Sequence, residues 1–87
     1  MTNVTIYTKF LCGFCDRAKR LLTSKGVAFT EHDVTFDKRL RAEMAERSGG
    51  ITTVPQVFVN NTHVGGSDEL AALDESGRLD ALLADVK

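Results

Sequence analysis

Apolar positions change their spacing along the chain, and each change marks a boundary between predicted elements. Near the N-terminus Val4 and Ile6 alternate with less apolar neighbours, and this period of two predicts a β-strand. From Cys15 onward apolar positions recur at helical spacing, and Gly26 is typical of a residue just beyond a helix C-terminus. Residues 27–34 then predict a second strand. A strand, a helix and a strand of these lengths form a βαβ unit, so we expect parallel strands.

The second half of the chain predicts a helix, a hairpin and two further helices. Residues 37–48 form the helix, and residues 57–59 and 62–64 form a hairpin around Asn60-Asn61, since asparagine tolerates a left-handed turn. Ser67 is the predicted N-cap of the next helix. After Gly77, the apolar positions of a last short helix are Leu79, Leu82, Leu83 and Val86.

These elements predict one α/β domain over residues 1–87, with a four-stranded mixed sheet flanked by helices on both faces. Apolar content of 43% and charged content of 26% are ordinary for such a domain. A formal net charge of −1 argues against nucleic acid or an anionic membrane as the main partner. Neither a signal peptide nor a membrane-spanning run is evident, so we expect a cytoplasmic protein.

The two cysteines form one Cys-x-x-Cys motif between the first strand and the first helix. Such a motif in a reducing compartment is typical of redox or metal chemistry. Cys12 is expected at the helix N-terminus, where free amides and the helix dipole favour a thiolate, and Lys9 can add positive charge. Cys15 lies one turn further along the same face and should be more buried. The sequence therefore predicts Cys12 as the nucleophile and Cys15 as the resolving thiol.

Two other interpretations of the motif are open to the sequence alone. A zinc site requires about four ligands, and the chain offers Cys12, Cys15, His32 and His63 without a metal-ligand spacing. The cysteines are also compatible with two inert structural thiols. We favour the redox interpretation because the motif stands at a strand-to-helix junction, and we expect no metal site in the reductase itself.

Four short stretches, taken in their order and spacing, make essentially the whole chain resemble the glutaredoxin family. They are Tyr7-Thr8-Lys9, Cys12-Gly13-Phe14-Cys15, Thr53-Val54-Pro55 and Gly65-Gly66-Ser67-Asp68. The resemblance implies a thioredoxin-like fold and an enzyme that uses glutathione to reduce protein disulfides and mixed disulfides of glutathione. Its partners would be glutathione, as co-substrate, and disulfide-containing or glutathionylated proteins. As a reductase it would be a monomer.

The resemblance also implies a glutathione groove beside the cysteines. Pro55 would be a cis-proline that faces them and leaves the Val54 backbone free to pair with the glutathione peptide. Thr53 and Phe14 would line the groove.

Charged groups would bind the two carboxylates and the amine of glutathione. Lys9 and Arg41, with Arg39 as the alternative to Arg41, suit the glycine carboxylate. The amides of Ser67-Asp68, behind Gly66, suit the γ-glutamyl carboxylate, and the acidic side chain suits the amine. The competing interpretation is that these bases are plain surface charges and that Ser67-Asp68 only caps a helix.

Two departures from the common family pattern shape the remaining hypotheses. Gly13 and Phe14 stand where the common dithiol form has proline and tyrosine, and Gly13 loosens this turn. In family members with altered motifs such loosening is associated with a glutathione-ligated [2Fe-2S] cluster. A homodimer bridged by this cluster through Cys12, acting in iron–sulfur carriage or sensing, is therefore the second hypothesis. Ser67 stands where relatives often have a third cysteine. A small zinc or protein-interaction module is the third and least favoured hypothesis.

Overall fold

Strand β1 (Val4–Thr8) occupies the interior of the sheet and organises the fold around it. In the computed structural model, which describes residues 3–84, β1 pairs in parallel with β2 (Thr30–Asp33) and antiparallel with β3 (Gln56–Val59). β3 pairs antiparallel with β4 (Thr62–Gly65), so the strand order is β2-β1-β3-β4. The predicted four-stranded mixed sheet, with its βαβ half and its ββα half, is confirmed.

Helices cover both faces of the sheet, as predicted. They are α1 (Gly13–Ser24), α2 (Lys38–Arg47), α3 (Ser67–Glu75) and α4 (Arg78–Leu83). Helices α1, α3 and α4 contribute to one core cluster, which consists of Val4, Ile6, Ala18, Leu22, Val57, Val59, Leu70, Leu79 and Leu83. Helix α2 contributes to a second cluster, which consists of Tyr7, Val34, Met44 and Phe58. None of the helices found within residues 3–84 has the length and apolarity needed to cross a membrane.

The first two strands differ in detail from the sequence prediction. All five residues of β1 are buried, including Thr5 and Tyr7, because helices cover both faces of the sheet and no face of this strand is left for solvent. The second strand was expected over residues 27–34 but pairs with β1 only from Thr30 to Asp33. Val27 and Phe29 precede the strand, and they pack against the first core cluster.

The later elements agree with the sequence prediction except at one helix end. Asn60 and Asn61 turn the hairpin with φ of 51° and 69°. Helix α3 is capped by Gly66 rather than by the predicted Ser67, which is already helical and buried. The cap moves back one residue because Gly66 has an extended backbone and its carbonyl accepts the first helical hydrogen bond, from the Leu70 amide. Val86, assigned to the last helix, lies outside the described residues.

Candidate active site

Cys12 and Cys15 form a disulfide bond at the N-terminus of α1. Cys12 is the N-cap of the helix, and its Sγ accepts a hydrogen bond of 3.1 Å from the Cys15 amide. As the sequence led us to expect, Cys15 is buried, whereas Cys12 is partly exposed. An incoming disulfide can therefore approach the partly exposed Cys12 more readily than the buried Cys15. When the disulfide is reduced, a Cys12 thiolate can accept a hydrogen bond from the same amide. The positive end of the helix dipole also stabilises its negative charge.

A cleft of about 170 Å³ lies beside the cysteines. It is lined by Phe14, Thr53, Val54, Pro55, Gln56, Gly66, Ser67, Asp68 and Glu69. All of these residues except Gln56 and Glu69 were assigned to the glutathione groove from the family resemblance. The Val54–Pro55 peptide bond is cis. The structure thus brings together two stretches, around Pro55 and around Ser67, that are distant in the sequence.

The N-terminus of α3 forms one wall of the cleft. Gly66 donates its amide to Glu69 Oε1 at 2.7 Å, which fixes the chain where it enters the helix. The amides of Ser67 and Asp68 belong to the first turn and have no carbonyl acceptor within the helix. Free amides at the positive end of a helix are a suitable environment for a carboxylate.

Gln56 supports the opposite wall, and the sequence did not single it out. Its buried side chain donates to the Thr53 carbonyl oxygen at 3.1 Å, which ties down the loop that contains Pro55. Its Oε1 lies 2.6 Å from His63 Nε2, so this nitrogen carries the proton. A polar residue at the start of an otherwise apolar strand, residues 56–59, is the only sequence signal for this role.

The predicted cationic residues lie outside the lining of the cleft. Lys9 is exposed directly after β1. Arg41 donates through Nη2 to the carbonyl oxygens of Val34 and Thr35, both at 3.1 Å, and its buried Nε has no partner in the described part of the chain. Arg39 is exposed on α2. Arg41 therefore braces the loop after β2, and its assignment to glutathione stays a prediction.

The two histidines are engaged elsewhere, so the structure does not assemble the zinc set considered from the sequence. His32 packs on the ring of Tyr7, and His63 packs on Phe58 and contacts Gln56. Within residues 3–84 no group of three or more His, Cys, Asp or Glu side chains is placed to hold a metal ion.

Polar contacts join the carboxyl ends of β1 and β2, close to where the chain leaves β1 toward the cysteines. The Thr8 hydroxyl donates to Glu31 at 2.7 Å, and this hydrogen bond is the main cause that lowers the pKa of Glu31, with a further contribution from Lys19 at 3.1 Å. Hydrogen bonds from the Thr35 side chain and backbone lower the pKa of Asp33. Both carboxylates thus stay ionised at neutral pH and hold the strand ends that carry the cysteine loop.

Comparison with known proteins is consistent with this site. A family model described as Glutaredoxin matches residues 4–64. Glutaredoxin 3 of Escherichia coli K12 is 54% identical over 83 residues, which are 95% of this chain and 99% of that protein. The solution structure of glutaredoxin from Brucella melitensis has a TM-score of 0.84 at 50% identity and covers 100% of this chain and 94% of that one. The crystal structure of a buckwheat glutaredoxin–glutathione complex has a TM-score of 0.78 at 26% identity, and the match covers 97% of this chain and 78% of that one.

Proposed function

The chain belongs to the glutaredoxin family and carries the cysteine pair of a thiol–disulfide oxidoreductase, and we propose that its electron donor is glutathione. Its substrates would be protein disulfides and mixed disulfides between proteins and glutathione. One observation carries this proposal: the motif that contains the partly exposed Cys12 borders, through Phe14, a cleft that offers free helix amides and an acidic side chain. Because glutathione keeps thiols reduced in the cytoplasm, we propose that the protein works there.

The proposed reaction uses the two thiols in sequence. The Cys12 thiolate attacks one sulfur of a substrate disulfide, a new S–S bond forms, and the other substrate sulfur leaves as a thiolate. The Cys15 thiolate then attacks the Cys12 sulfur, which gives the disulfide seen in the structure and releases the second substrate thiol. Two molecules of glutathione return the pair to dithiols and become glutathione disulfide. For a mixed disulfide with glutathione, Cys12 attacks the glutathione sulfur and a second glutathione replaces Cys15.

The chemistry of the cleft supports glutathione as the donor. Its γ-glutamyl end carries a carboxylate, which suits the free amides of Ser67 and Asp68, and an amine, which suits the Asp68 carboxylate. Its peptide backbone suits the extended segment at Val54, and Lys9 or Arg41 would meet the glycine carboxylate. The buckwheat relative, whose structure is a complex with glutathione, lends further support.

Removing the charged groups that would bind glutathione is expected to weaken substrate binding more than turnover. In the Asp68→Ala and Lys9→Ala variants, the KM for a glutathione mixed disulfide should rise about fivefold to tenfold while kcat falls less than twofold. The reason is that both side chains would contact parts of glutathione remote from the reacting sulfur. Steady-state kinetics measure this, with Glu43→Ala, an exposed acid on α2, as the matched control. An unchanged KM in the Lys9→Ala, Asp68→Ala double variant would place the glutathione site elsewhere.

The cluster-bridged homodimer stays a prediction that no contact among the described residues favours. If Gly13 permits the cluster, anaerobic reconstitution with iron, sulfide and glutathione should give a coloured dimer ligated by one Cys12 and one glutathione per subunit. Gly13→Pro is a suitable test, because a Cβ at this position meets no atom of residues 3–84 within 4 Å and proline is accepted in the first turn of a helix. This variant should lose colour and keep reductase activity. Wild-type protein that stays colourless and monomeric with excess glutathione would exclude the hypothesis.

A further inference from the structure

Large apolar side chains are exposed on the loops next to Cys12. Phe10, Leu11 and Phe36 are 70%, 88% and 97% exposed. We call these three residues the apolar rim. Single exposed apolar side chains are common on protein surfaces, whereas three of them on the two loops beside a reactive cysteine indicate a contact surface.

The topology places the apolar rim at one edge of the sheet. Phe10 and Leu11 follow β1, and Phe36 follows β2; because these strands are parallel, both loops leave the sheet at the edge where Cys12 lies. A hydrogen bond of 2.7 Å from the Phe10 amide to Thr35 Oγ1 joins the two loops directly. None of the rim residues lines the cleft proposed for glutathione.

Leu11 contributes little to folding in the conformation it adopts. Its φ is 53°, in the left-handed region that a leucine enters only at a cost in stability. The side chain is almost fully exposed, so burial does not offset this cost. A strained and exposed leucine next to the nucleophile is better explained by a contact made during the reaction than by one made in the folded chain.

The loop after β2 is held in place before any partner arrives. The Thr35 amide donates to Asp33 Oδ1 at 2.9 Å, and the Arg41 guanidinium braces the carbonyl oxygens of Val34 and Thr35. A surface that is already ordered loses less conformational entropy when it binds. These contacts also give Arg41 a role that does not require glutathione.

We infer that the apolar rim binds the residues that flank the reacting cysteine of a protein substrate, and that it favours cysteines with apolar neighbours. This inference rests on the proposed function. In the mixed disulfide with Cys12, the Cα atoms of the neighbouring substrate residues lie within about 10 Å of the Cys12 Cα. The rim begins one residue from Cys12, so it lies within reach of those side chains. Glutathione cannot use this surface, because its glycine and γ-glutamyl groups have no apolar side chains.

The test uses pre-reduced protein without glutathione, so that its result does not depend on the electron donor. The substrates are two disulfide-linked peptide dimers, one with leucine and one with serine on both sides of the cysteine, and the disulfide of 2-mercaptoethanol, which has no flanking residues. In single-turnover experiments the wild type should reduce the leucine peptide about tenfold faster than the serine peptide at equal, subsaturating concentrations.

Variants of the apolar rim test whether its side chains cause the preference for the leucine peptide. The Leu11→Asn, Phe36→Asn double variant should lose the preference for the leucine peptide and keep its rate on the small disulfide; asparagine at position 11 tolerates the left-handed backbone. The matched control, Phe36→Leu, should keep the preference.

Three results would overturn the inference. The first is equal rates on the two peptides in the wild type, and the second is an unchanged preference in the double variant. The third is a concentration-dependent dimer that the double variant abolishes, because it would assign the rim to a second copy of the chain. If the wild type reduced none of the three substrates, the proposed function itself would be contradicted.

Discussion

Replacing Cys12 by serine is expected to abolish glutathione-coupled reduction of both protein disulfides and glutathione mixed disulfides. Cys12 is the more exposed cysteine of the pair, and in the proposed mechanism both routes begin with its attack. A hydroxyl at this position is a much weaker nucleophile than a thiolate, so the loss should exceed about a thousandfold. The rate of glutathione disulfide formation, coupled to glutathione reductase and NADPH, measures it.

Cys15→Ser is the control that separates the two thiols. This variant should keep activity on glutathione mixed disulfides, because glutathione can resolve the intermediate, and should lose most activity on protein disulfides. Full activity in Cys12→Ser would contradict the assignment of the nucleophile. So would equal losses on glutathione mixed disulfides in the two variants.

Gly65→Ala is expected to cause a large loss of stability that also damages the cleft. Gly65 has a φ of 120°, and a Cβ at this position would come within 2.8 Å of Glu69 Cβ and 2.9 Å of Glu69 Cγ. The Glu69 side chain would have to move and release the Gly66 amide, which opens the N-terminus of α3. Backbone strain, overpacking and the lost hydrogen bond to the Gly66 amide together should lower the free energy of unfolding by about 3–4 kcal/mol.

Urea unfolding measures this cost, and Gly77→Ala is the matched control. Gly77 also has a positive φ, of 78°, and no atom of the described residues lies within 4 Å of an added Cβ, so this variant introduces left-handed backbone strain without a collision. In this control the free energy of unfolding should fall by only about 1 kcal/mol. Equal losses in the two variants would show that the packing of Glu69 against Gly65 is not important for stability.

Local sequence features were sufficient to predict the redox motif and most of the fold. Cys12 and Cys15 could be ranked as outer and inner thiol because helix geometry alone separates them in depth. The hairpin could be placed because the conformation of Asn60-Asn61 depends on the residues of the turn itself. In each case the deciding interaction lies within a few residues along the chain.

Other features depend on contacts between distant parts of the chain. Gln56 supports the cleft only because its side chain meets both Thr53 and His63. Arg41 has the charge that the predicted glutathione groove would require, but its guanidinium is held by the backbone after β2. The sequence does not show which partner a basic side chain reaches.

The site at which glutathione becomes attached to the chain can be determined directly. Pre-reduced Cys15→Ser protein, which cannot form the internal disulfide, is incubated with glutathione disulfide, and intact-mass and peptide mass spectrometry then locate the adduct. We expect one glutathione per chain, attached to Cys12, in an adduct that forms more slowly in the Asp68→Ala background at subsaturating glutathione disulfide and is removed by added glutathione. Absence of an adduct on Cys12, or an adduct that forms equally fast on Cys15 in the Cys12→Ser variant, would show that Cys12 is not the thiol that reacts with glutathione.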